Sequence, residues 1–348
     1  MQLKMQLNFK SEKLTHHDIL ALLQGCDDDS LFKQAHQATL EQFEGQVYMR
    51  GIIEFSNQCR NDCHYCGLRT SNRQVKRYRL THGQIMAAAE SAYQEGMGTI
   101  VLQSGDDYRY RMKDIEQIIV EIKQQFGLAI TLSLGDRTFD ELSCWKQAGA
   151  DRYLLKMETF NEGLFRQCRP KKLFQQRLKK IKLLQKLGYQ TGSGVIVNLP
   201  GMTLAMLADD IIKLSQLKLD MIACGPFVAH PQTPYASYPD GSVIVSHRVS
   251  AILRLLNPGA NIPATSALDA IQAGAREAAL LRGANIIMPS FTPEQAFADY
   301  NIYPGKNASK VKLIERISAI KLAISTIGLT ATSARGDALR KHNVNNHN

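Results

Sequence analysis

The chain has 348 residues and a formal net charge of +10, from 42 basic and 32 acidic side chains. With 44% hydrophobic and 21% charged residues, it has the composition of an ordinary globular protein that can bury a sizeable core. No apolar run approaches the ~18 residues of a membrane-spanning helix, and the polar start does not resemble a secretory signal, so we expect a cytoplasmic protein. Seven cysteines without regular pairing do not indicate a disulfide framework.

Both ends of the chain differ from its middle. Residues 1–45 carry helical patterns and are expected to form a helical extension that precedes the main domain, residues 46–304. Residues 305–348 carry one helical stretch and then a polar tail that begins at Ser333. Because this tail has few apolar residues, we expect it to be disordered.

Within the main domain, short β-branched runs alternate with helix-length patterns. Eight runs are expected to be strands: 48–56, 98–104, 128–134, 151–157, 188–197, 219–227, 260–266 and 284–289. Helical patterns cover residues 82–95, 113–126, 138–147, 171–187, 203–217, 245–256 and 270–281. This alternation predicts an α/β fold with a parallel sheet, and eight units in ~250 residues fit a (β/α)8 TIM barrel. An open, doubly wound sheet is the alternative.

Three cysteines follow the first predicted strand, where a barrel has its functional end. Cys59, Cys63 and Cys66 have the spacing C-x3-C-x2-C within "EFSNQCRNDCHYCGLR". A structural zinc site needs four ligands, and neighbours such as Cys63 and His64 rarely bind the same ion. A redox C-x-x-C motif would leave Cys59 unexplained. Three thiolates suit a [4Fe–4S] cluster with one iron open to an external ligand.

This loop, with Tyr65 directly before the third cysteine, resembles the radical S-adenosylmethionine superfamily. Over residues 47–305 the segments "KRYRL", "TIVLQSGDD", "AGADRYLLKMET", "CGPFVAHPQTP", "GANIIMPSFTP" and "YPGK" resemble, more narrowly, its [FeFe]-hydrogenase maturases. Methylornithine synthase and biotin synthase are more distant relatives. The resemblance implies an enzyme in which the cluster cleaves S-adenosyl-L-methionine and generates a 5′-deoxyadenosyl radical.

The resemblance also implies roles for individual residues. The three cysteines would be the metal ligands and the catalytic residues. Residues matching the cofactor-binding positions are Tyr65, Gln103, Ser104, Ser133, Glu158 and Arg177. A carboxylate can accept both hydroxyls of a ribose, and a guanidinium can pair with the methionine carboxylate. Residues matching the substrate cavity are Thr131, Met221, Thr265, Ser266, Tyr300 and Tyr303, although Met221 fits the core equally well.

The sequence departs from the family pattern at three points, of which the first, Asp106, is minor. Asp106 stands where glutamate is more usual, and Lys156 replaces an arginine, so a contact there would be single rather than forked. Some maturases have a second cysteine cluster near the C-terminus, but residues 303–321 contain no cysteine. The remaining cysteines are scattered: Cys26, Cys144, Cys168 and Cys224. We therefore expect a single cluster.

Residues 161–190 carry nine Lys or Arg against one acid, mostly on the predicted helix 171–187. Its lysines alternate with apolar positions at helical spacing, which predicts an amphipathic helix with a basic outer face. That face is either simply solvated or docks an acidic electron donor, such as a flavodoxin or ferredoxin. We expect neither a nucleic acid nor a membrane as partner.

The substrate implied by the resemblance is small: a cysteine-bound, low-valent iron carbonyl–cyanide precursor whose sulfur the radical attacks. Other hydrogenase maturases are then the expected partners. One alternative is a carbon-skeleton mutase of the methylornithine synthase type. Another is a non-catalytic iron–sulfur protein that transfers electrons or binds RNA.

Overall fold

A computed structural model describes residues 14–340 of the chain. Its strands are β1 (Gln46–Ser56), β2 (Thr99–Ser104), β3 (Ala129–Ser133), β4 (Arg152–Leu154), β5 (Gln190–Ser193), β6 (Ile196–Val197), β7 (Met221–Ile222), β8 (Gly225–Pro226), β9 (Ile286–Ile287) and β10 (Thr330–Thr332). Its helices are α1 (His16–Gln24), α2 (Asp28–Phe43), α3 (His82–Gln94), α4 (Met112–Phe126), α5 (Phe139–Gln147), α6 (Glu162–Cys168), α7 (Phe174–Lys186), α8 (Leu204–Gln216), α9 (Val243–Leu256), α10 (Ser266–Ile271), α11 (Ala275–Leu280), α12 (Glu294–Phe297) and α13 (Leu313–Thr326). Over this range no helix has the length and apolar character needed to cross a membrane.

Polar caps fix where several helices begin. Thr81 and Thr138 are the N-caps of α3 and α5, and each hydroxyl accepts a hydrogen bond from the backbone N–H three residues further on. The side-chain oxygens of Gln84 and Glu141 in turn accept the backbone N–H of the cap residue, which completes a capping box. The turns that lead from helix to strand contain glycines with positive φ: Gly96, Gly149, Gly188 and Gly283. Local sequence thus sets the boundaries of these units.

The strands form a closed ring. Parallel pairing joins β1 to β2, β2 to β3, β3 to β4, β4 to β5 and β5 to β7, and β9 pairs with β1. Residues 260–264 fill the gap between β7 and β9. The Ile222 N–H donates to the Asn261 carbonyl, and the Ala264 N–H donates to the Ile286 carbonyl, both at 2.9 Å. The predicted (β/α)8 barrel is confirmed, and the open sheet is excluded.

The strands in the second half are shorter than predicted. The run 188–197 divides into β5 and β6, and 219–227 divides into β7 and β8, while 260–266 makes only isolated bridges. β6 and β8 pair with each other as a separate two-stranded sheet. At the break, a Cβ on Gly194 would lie 1.9 Å from the Ala223 carbonyl oxygen, so the two backbones are in direct contact. Such close approach interrupts a regular ladder.

The helices predicted in the N-terminal extension are present as α1 and α2, which pack against α8 and α9. Arg248 of α9 fastens α2 through a forked ion pair with Asp28, with both N···O distances at 2.7 Å. Residues 1–13 lie outside the described range. The domain boundaries at residues 46 and 305 remain predictions.

The prediction of a disordered tail is wrong for residues 333–340, which close the amino-terminal end of the barrel; residues 341–348 lie outside the described range. β10 pairs with the start of β1. The Gly336 carbonyl accepts hydrogen bonds of 2.9 Å from Arg50 and Asn261. Asp337 lies 2.5 Å from the fully buried guanidinium of Arg152. Hydrogen bonds and an ion pair with buried arginines, rather than apolar packing, hold this segment in place.

Removing the Asp337 carboxylate should destabilise the fold. Asp337→Ala leaves Arg152 without its carboxylate, and because Asp337 is partly exposed we expect a loss of ~1–2 kcal/mol in the free energy of unfolding. Urea unfolding measures this loss, with Glu90→Ala on the exposed face of α3 as the matched control. Burial alone would raise the pKa of Asp337, but hydrogen bonds from Arg335 and Gln190 lower this pKa to about 2. The difference from wild type should therefore persist above ~pH 4 and shrink as the pH falls towards 2. A difference equal to that of the control would contradict this role.

Candidate active site

A cavity of about 350 Å³ lies at the carboxyl-terminal ends of the ring strands. Its wall combines the cysteine loop, the ends of β2 and β3, the segment after β4, and residues from α7 and from the turn before α10. Of the residues assigned from the sequence, the wall contains Tyr65, Cys66, Gln103, Ser104, Ser133, Glu158, Arg177, Thr265, Ser266 and Tyr303. This is the end of the barrel at which the sequence placed the site.

The cysteine loop, residues 57–80, is held by its own polar side chains. The Asn57 amide donates to two carbonyl groups at 2.8 and 2.9 Å and accepts the N–H of Tyr78 at 2.8 Å. The Arg77 guanidinium donates to four carbonyl oxygens of the same loop at 2.6–3.3 Å. These bonds replace the regular backbone pairing that an irregular loop lacks, so the cysteines have defined positions.

The three cysteines are free thiols, and Cys66 lies in the cavity wall. Burial raises the pKa of the Cys59 and Cys66 thiols, and a bound cationic metal centre would favour their thiolate forms. Among residues 14–340, no three His, Cys, Asp or Glu side chains converge to hold a single metal ion. A cubane binds each thiolate at a different iron, so the donor set fits a [4Fe–4S] cluster better than zinc.

Asp106 joins the cysteine loop to the end of β2. Its backbone N–H donates to the Cys59 sulfur at 3.4 Å. Its carboxylate accepts a hydrogen bond of 2.8 Å from Asn61 and lies 3.4 Å from Arg60. Gly105 permits this approach, because a Cβ there would lie 2.9 Å from the Cys59 Cβ. The residue that departs from the family pattern is thus a structural link to the first cysteine.

Glu158 has a φ of 71°, an uncommon conformation for a residue with a Cβ and one that recurs at ligand sites. Its Oε1 lies 3.6 Å from Arg169 and its Oε2 lies 3.4 Å from the Lys156 ammonium. Oε2 is buried and accepts no hydrogen bond from any described residue. It therefore has free acceptor capacity for a ligand hydroxyl. Arg169 also donates to the Tyr65 hydroxyl at 3.1 Å and so holds both side chains.

Arg177 lines the cavity with a guanidinium that the protein already holds in place. It donates to Asp136 at 2.9 Å, and its Nε and Nη2 donate to the Lys156 carbonyl at 3.0 and 2.8 Å. Burial raises the pKa of Asp136, but the charges of Arg177 and Arg169 lower it by a larger amount. The pKa of Asp136 therefore lies below its ordinary value. Each Nη keeps one N–H for a ligand carboxylate. Asp136 and Arg169 were missed by sequence reasoning, because neither stands in a recognisable motif.

Gln103, Ser104 and Ser133 end neighbouring strands and present small or amide groups to the cavity. Gln103 Nε2 donates to the Tyr300 hydroxyl at 3.0 Å. The Ser104 hydroxyl donates to the adjacent Gly105 carbonyl at 2.7 Å. Tyr300 is buried behind Gln103 and does not itself belong to the cavity wall.

The positions assigned to the substrate divide into two groups. Thr265, Ser266 and Tyr303 line the cavity; the Tyr303 hydroxyl lies 2.6 Å from Ser266 Oγ, and Thr265 Oγ1 is buried without a hydrogen-bond partner among the described residues. Thr131 and Met221 are buried elsewhere and do not line it.

Met221 accepts a hydrogen bond of 3.2 Å from Arg50, whose guanidinium also reaches the C-terminal segment. Its position therefore agrees with the core interpretation.

An ion pair without any role in the sequence analysis also borders the cavity. The Lys306 ammonium lies 3.0 Å from a carboxylate oxygen of the fully buried Glu54. Ser290 and Thr292 donate to the same carboxylate at 2.5 Å. Burial opposes both charges, yet the pair lowers the pKa of Glu54 and raises that of Lys306, so both are ionised. The sequence does contain a signal for this ion pair, because Glu54 is an acidic residue within the apolar run "GIIEFS".

Comparisons with known proteins agree with this geometry. The sequence matches the radical SAM superfamily over residues 53–214. It is 46% identical over 279 residues to the [FeFe] hydrogenase maturase subunit HydE of Thermotoga maritima, covering 80% of each protein. It is 26% identical over 297 residues to 3-methylornithine synthase of Methanosarcina acetivorans, covering 83% of this chain and 84% of that protein.

The fold is similar to the crystal structure of methylornithine synthase (PylB), with a TM-score of 0.83 at 22% identity, covering 93% of this chain and 96% of that one. The superfamily match and the 46% identity to HydE show that the chain belongs to the radical SAM superfamily. It is a radical SAM enzyme and a homologue of HydE, and the superfamily implies a [4Fe–4S] cluster and S-adenosyl-L-methionine. The non-catalytic alternative is thereby excluded.

The ion pair at the cavity edge gives a stability prediction. Glu54→Gln should lower the free energy of unfolding by ~3–5 kcal/mol, because it leaves the Lys306 ammonium buried without a counter-charge. The double variant Glu54→Gln with Lys306→Met should lose much less than the sum of the two single variants. Urea unfolding of all four proteins measures this coupling. Strict additivity would show that the two groups do not stabilise each other.

Proposed function

We propose that this protein is a HydE-type maturase in the assembly of the [FeFe]-hydrogenase H-cluster. The observation that carries the proposal is the three-cysteine loop at the rim of the barrel cavity, in a chain that is 46% identical to HydE over 80% of its length. The 3-methylornithine synthases are only 26% identical over a similar length. Fold similarity alone does not separate the two enzymes, because PylB shares the barrel.

In this proposal Cys59, Cys63 and Cys66 bind three irons of one [4Fe–4S] cluster and leave the fourth open to S-adenosyl-L-methionine. When bound, cluster and cofactor together supply an electron and a 5′-deoxyadenosyl radical. The protein's part is to hold the cofactor and exclude water. Glu158 offers a buried acceptor for the ribose hydroxyls, and Arg177 offers two N–H groups for the methionine carboxylate.

Further cofactor contacts are proposed for Tyr65 against the adenine and for Gln103, Ser104 and Ser133 around the methionine. Beyond the cofactor, the hydroxyls of Thr265, Ser266 and Tyr303 lie in the cavity wall, and the buried Thr265 oxygen has no hydrogen-bond partner among residues 14–340. A small polar substrate would satisfy that oxygen. The substrate proposed is a cysteine-bound iron carbonyl–cyanide precursor, whose sulfur the radical attacks.

Partners of the proposed enzyme are the other hydrogenase maturases, which supply the precursor and receive the product, and an acidic electron donor. All seven cysteines are free thiols, which fits a reducing compartment, the cytoplasm. Oxygen-sensitive iron chemistry needs the same compartment.

The test is activation of an [FeFe]-hydrogenase apoprotein by the other maturases in the absence of HydE. Adding this protein, reductant and S-adenosyl-L-methionine should restore hydrogen production. Cys63→Ala should bind less iron, form no deoxyadenosine and give no activation, because the cluster would lose one of its three thiolate ligands. Deoxyadenosine formation without activation would contradict the proposed substrate. In that case formation of 3-methylornithine, followed by mass spectrometry, tests the second candidate.

A further inference from the structure

A second cleft, of about 290 Å³, lies beside the cavity and shares only Arg177 with its wall. Seven arginine and lysine side chains line it against a single carboxylate, that of Asp136. Within the cleft, Asp136 is already paired with Arg177 at 2.9 Å and with Lys172 at 3.4 Å.

Arg60, Arg137 and Arg169 have carboxylate partners just outside the lining. Lys171 and Lys180 form no ion pair with a described residue, so the cleft keeps a net positive charge. We call it the cationic cleft.

The cationic cleft adjoins the cysteine loop. Arg60, which lines it, directly follows Cys59, and its N–H donates to the Asp106 carbonyl at 3.3 Å. The N–H of Asp106 in turn donates to the Cys59 sulfur. Arg177 belongs to the walls of both the cleft and the cofactor cavity. A molecule in the cleft would therefore approach the cluster loop without entering the cavity.

Apolar and aromatic side chains at the cleft are exposed. Leu173 in its lining is 61% exposed, and Phe139, next to its lining residue Thr138, is 56% exposed. The Tyr108 ring contacts two guanidinium groups, with its centroid 3.8 Å from the Arg60 Cζ and 4.5 Å from the Arg137 Cζ. Exposed apolar anchors among arginines are typical of protein interfaces and unusual for a merely solvated face.

We propose that the cationic cleft, with Leu173 and Phe139 at its edge, is the docking surface for an acidic redox protein that reduces the cluster. One electron leaves the reduced flavin or iron–sulfur centre of the partner and enters the oxidised cluster, and no proton or group is transferred. This proposal rests on the proposed function only in requiring a cluster bound at Cys59.

The proposal also separates two faces of α7 that the sequence did not distinguish. Lys180 of α7 lines the cationic cleft together with Lys172, which precedes the helix, whereas Lys182 of α7 lines a different groove with Phe160 and Lys213. The partner is therefore expected at the first face and not on the outer face of the helix. Nucleic acid is the less suitable occupant, because phosphates make no use of the apolar edge.

The experiment compares two reductants on four variants. Lys171→Glu and Leu173→Asp alter the cleft at exposed positions. Lys182→Glu makes the same charge change on the other face of α7, and Ile314→Asp makes a matched apolar-to-acid change on α13, where the side chain is 64% exposed. The rate of deoxyadenosine formation is measured with reduced flavodoxin and, separately, with dithionite.

With flavodoxin at low ionic strength, the two cleft variants should be slower than wild type by ~10-fold, and the Lys171→Glu loss should shrink as salt is added. The two control variants should stay within ~2-fold of wild type, and dithionite-driven rates should be unchanged throughout. Unchanged flavodoxin-driven rates in the cleft variants, equal losses in cleft and control variants, or equal losses with both reductants would overturn the proposal.

Two further outcomes are distinguishable. Binding of a single-stranded RNA that Lys171→Glu abolishes, together with unchanged flavodoxin-driven rates, would assign the cleft to nucleic acid and overturn the proposal. Failure of hydrogenase activation would not affect these rates, because cofactor cleavage is measured without the maturation substrate. The proposed docking surface and the proposed function can therefore be refuted independently of each other.

Discussion

Closure of the parallel ring is the constraint on which every site residue depends. Because all eight segments run in the same direction, their carboxyl ends meet at one rim, and residues as distant in sequence as Tyr65 and Tyr303 share one cavity wall. Closure itself depends on the short segment 260–264, which bonds to both neighbours although it forms no regular strand. Gly194 contributes by allowing the backbones beside this segment to touch.

Buried charge is the second organising feature, and it is compensated at both ends of the barrel. At the rim, Glu54 fixes Lys306, and Asp136 fixes Arg177. At the opposite end, the C-terminal segment supplies Asp337 to the buried Arg152. Each charge would be costly alone in a low-dielectric interior, so its partner is a requirement of folding as well as of the site. The polar composition of the site is thus compatible with a stable fold.

Sequence patterns predicted the barrel and the cysteine loop because both leave local signals: alternation of elements, capping residues and close cysteine spacing. The same patterns could not predict that Met221 and Thr131 lie outside the cavity, since strand position alone does not give depth within a barrel. They also failed for residues 333–340, where a polar composition suggested disorder. That segment is ordered by arginines of strands that are distant in sequence. Such long-range pairing cannot be predicted from the composition of a short stretch of sequence. Asp136 and Arg169 were missed for the same reason.

We propose that one [4Fe–4S] cluster, bound by the cysteine loop, serves the whole reaction. The other four cysteines do not cluster in the sequence, and neither terminal stretch outside the described range contains a cysteine. Iron and sulfide analysis after anaerobic reconstitution, combined with electron paramagnetic resonance of the reduced protein, tests this most directly. We predict saturation near ~4 irons and ~4 sulfides per chain, and a signal that S-adenosyl-L-methionine perturbs in full. A second, reproducible cluster signal that does not respond to S-adenosyl-L-methionine would contradict it.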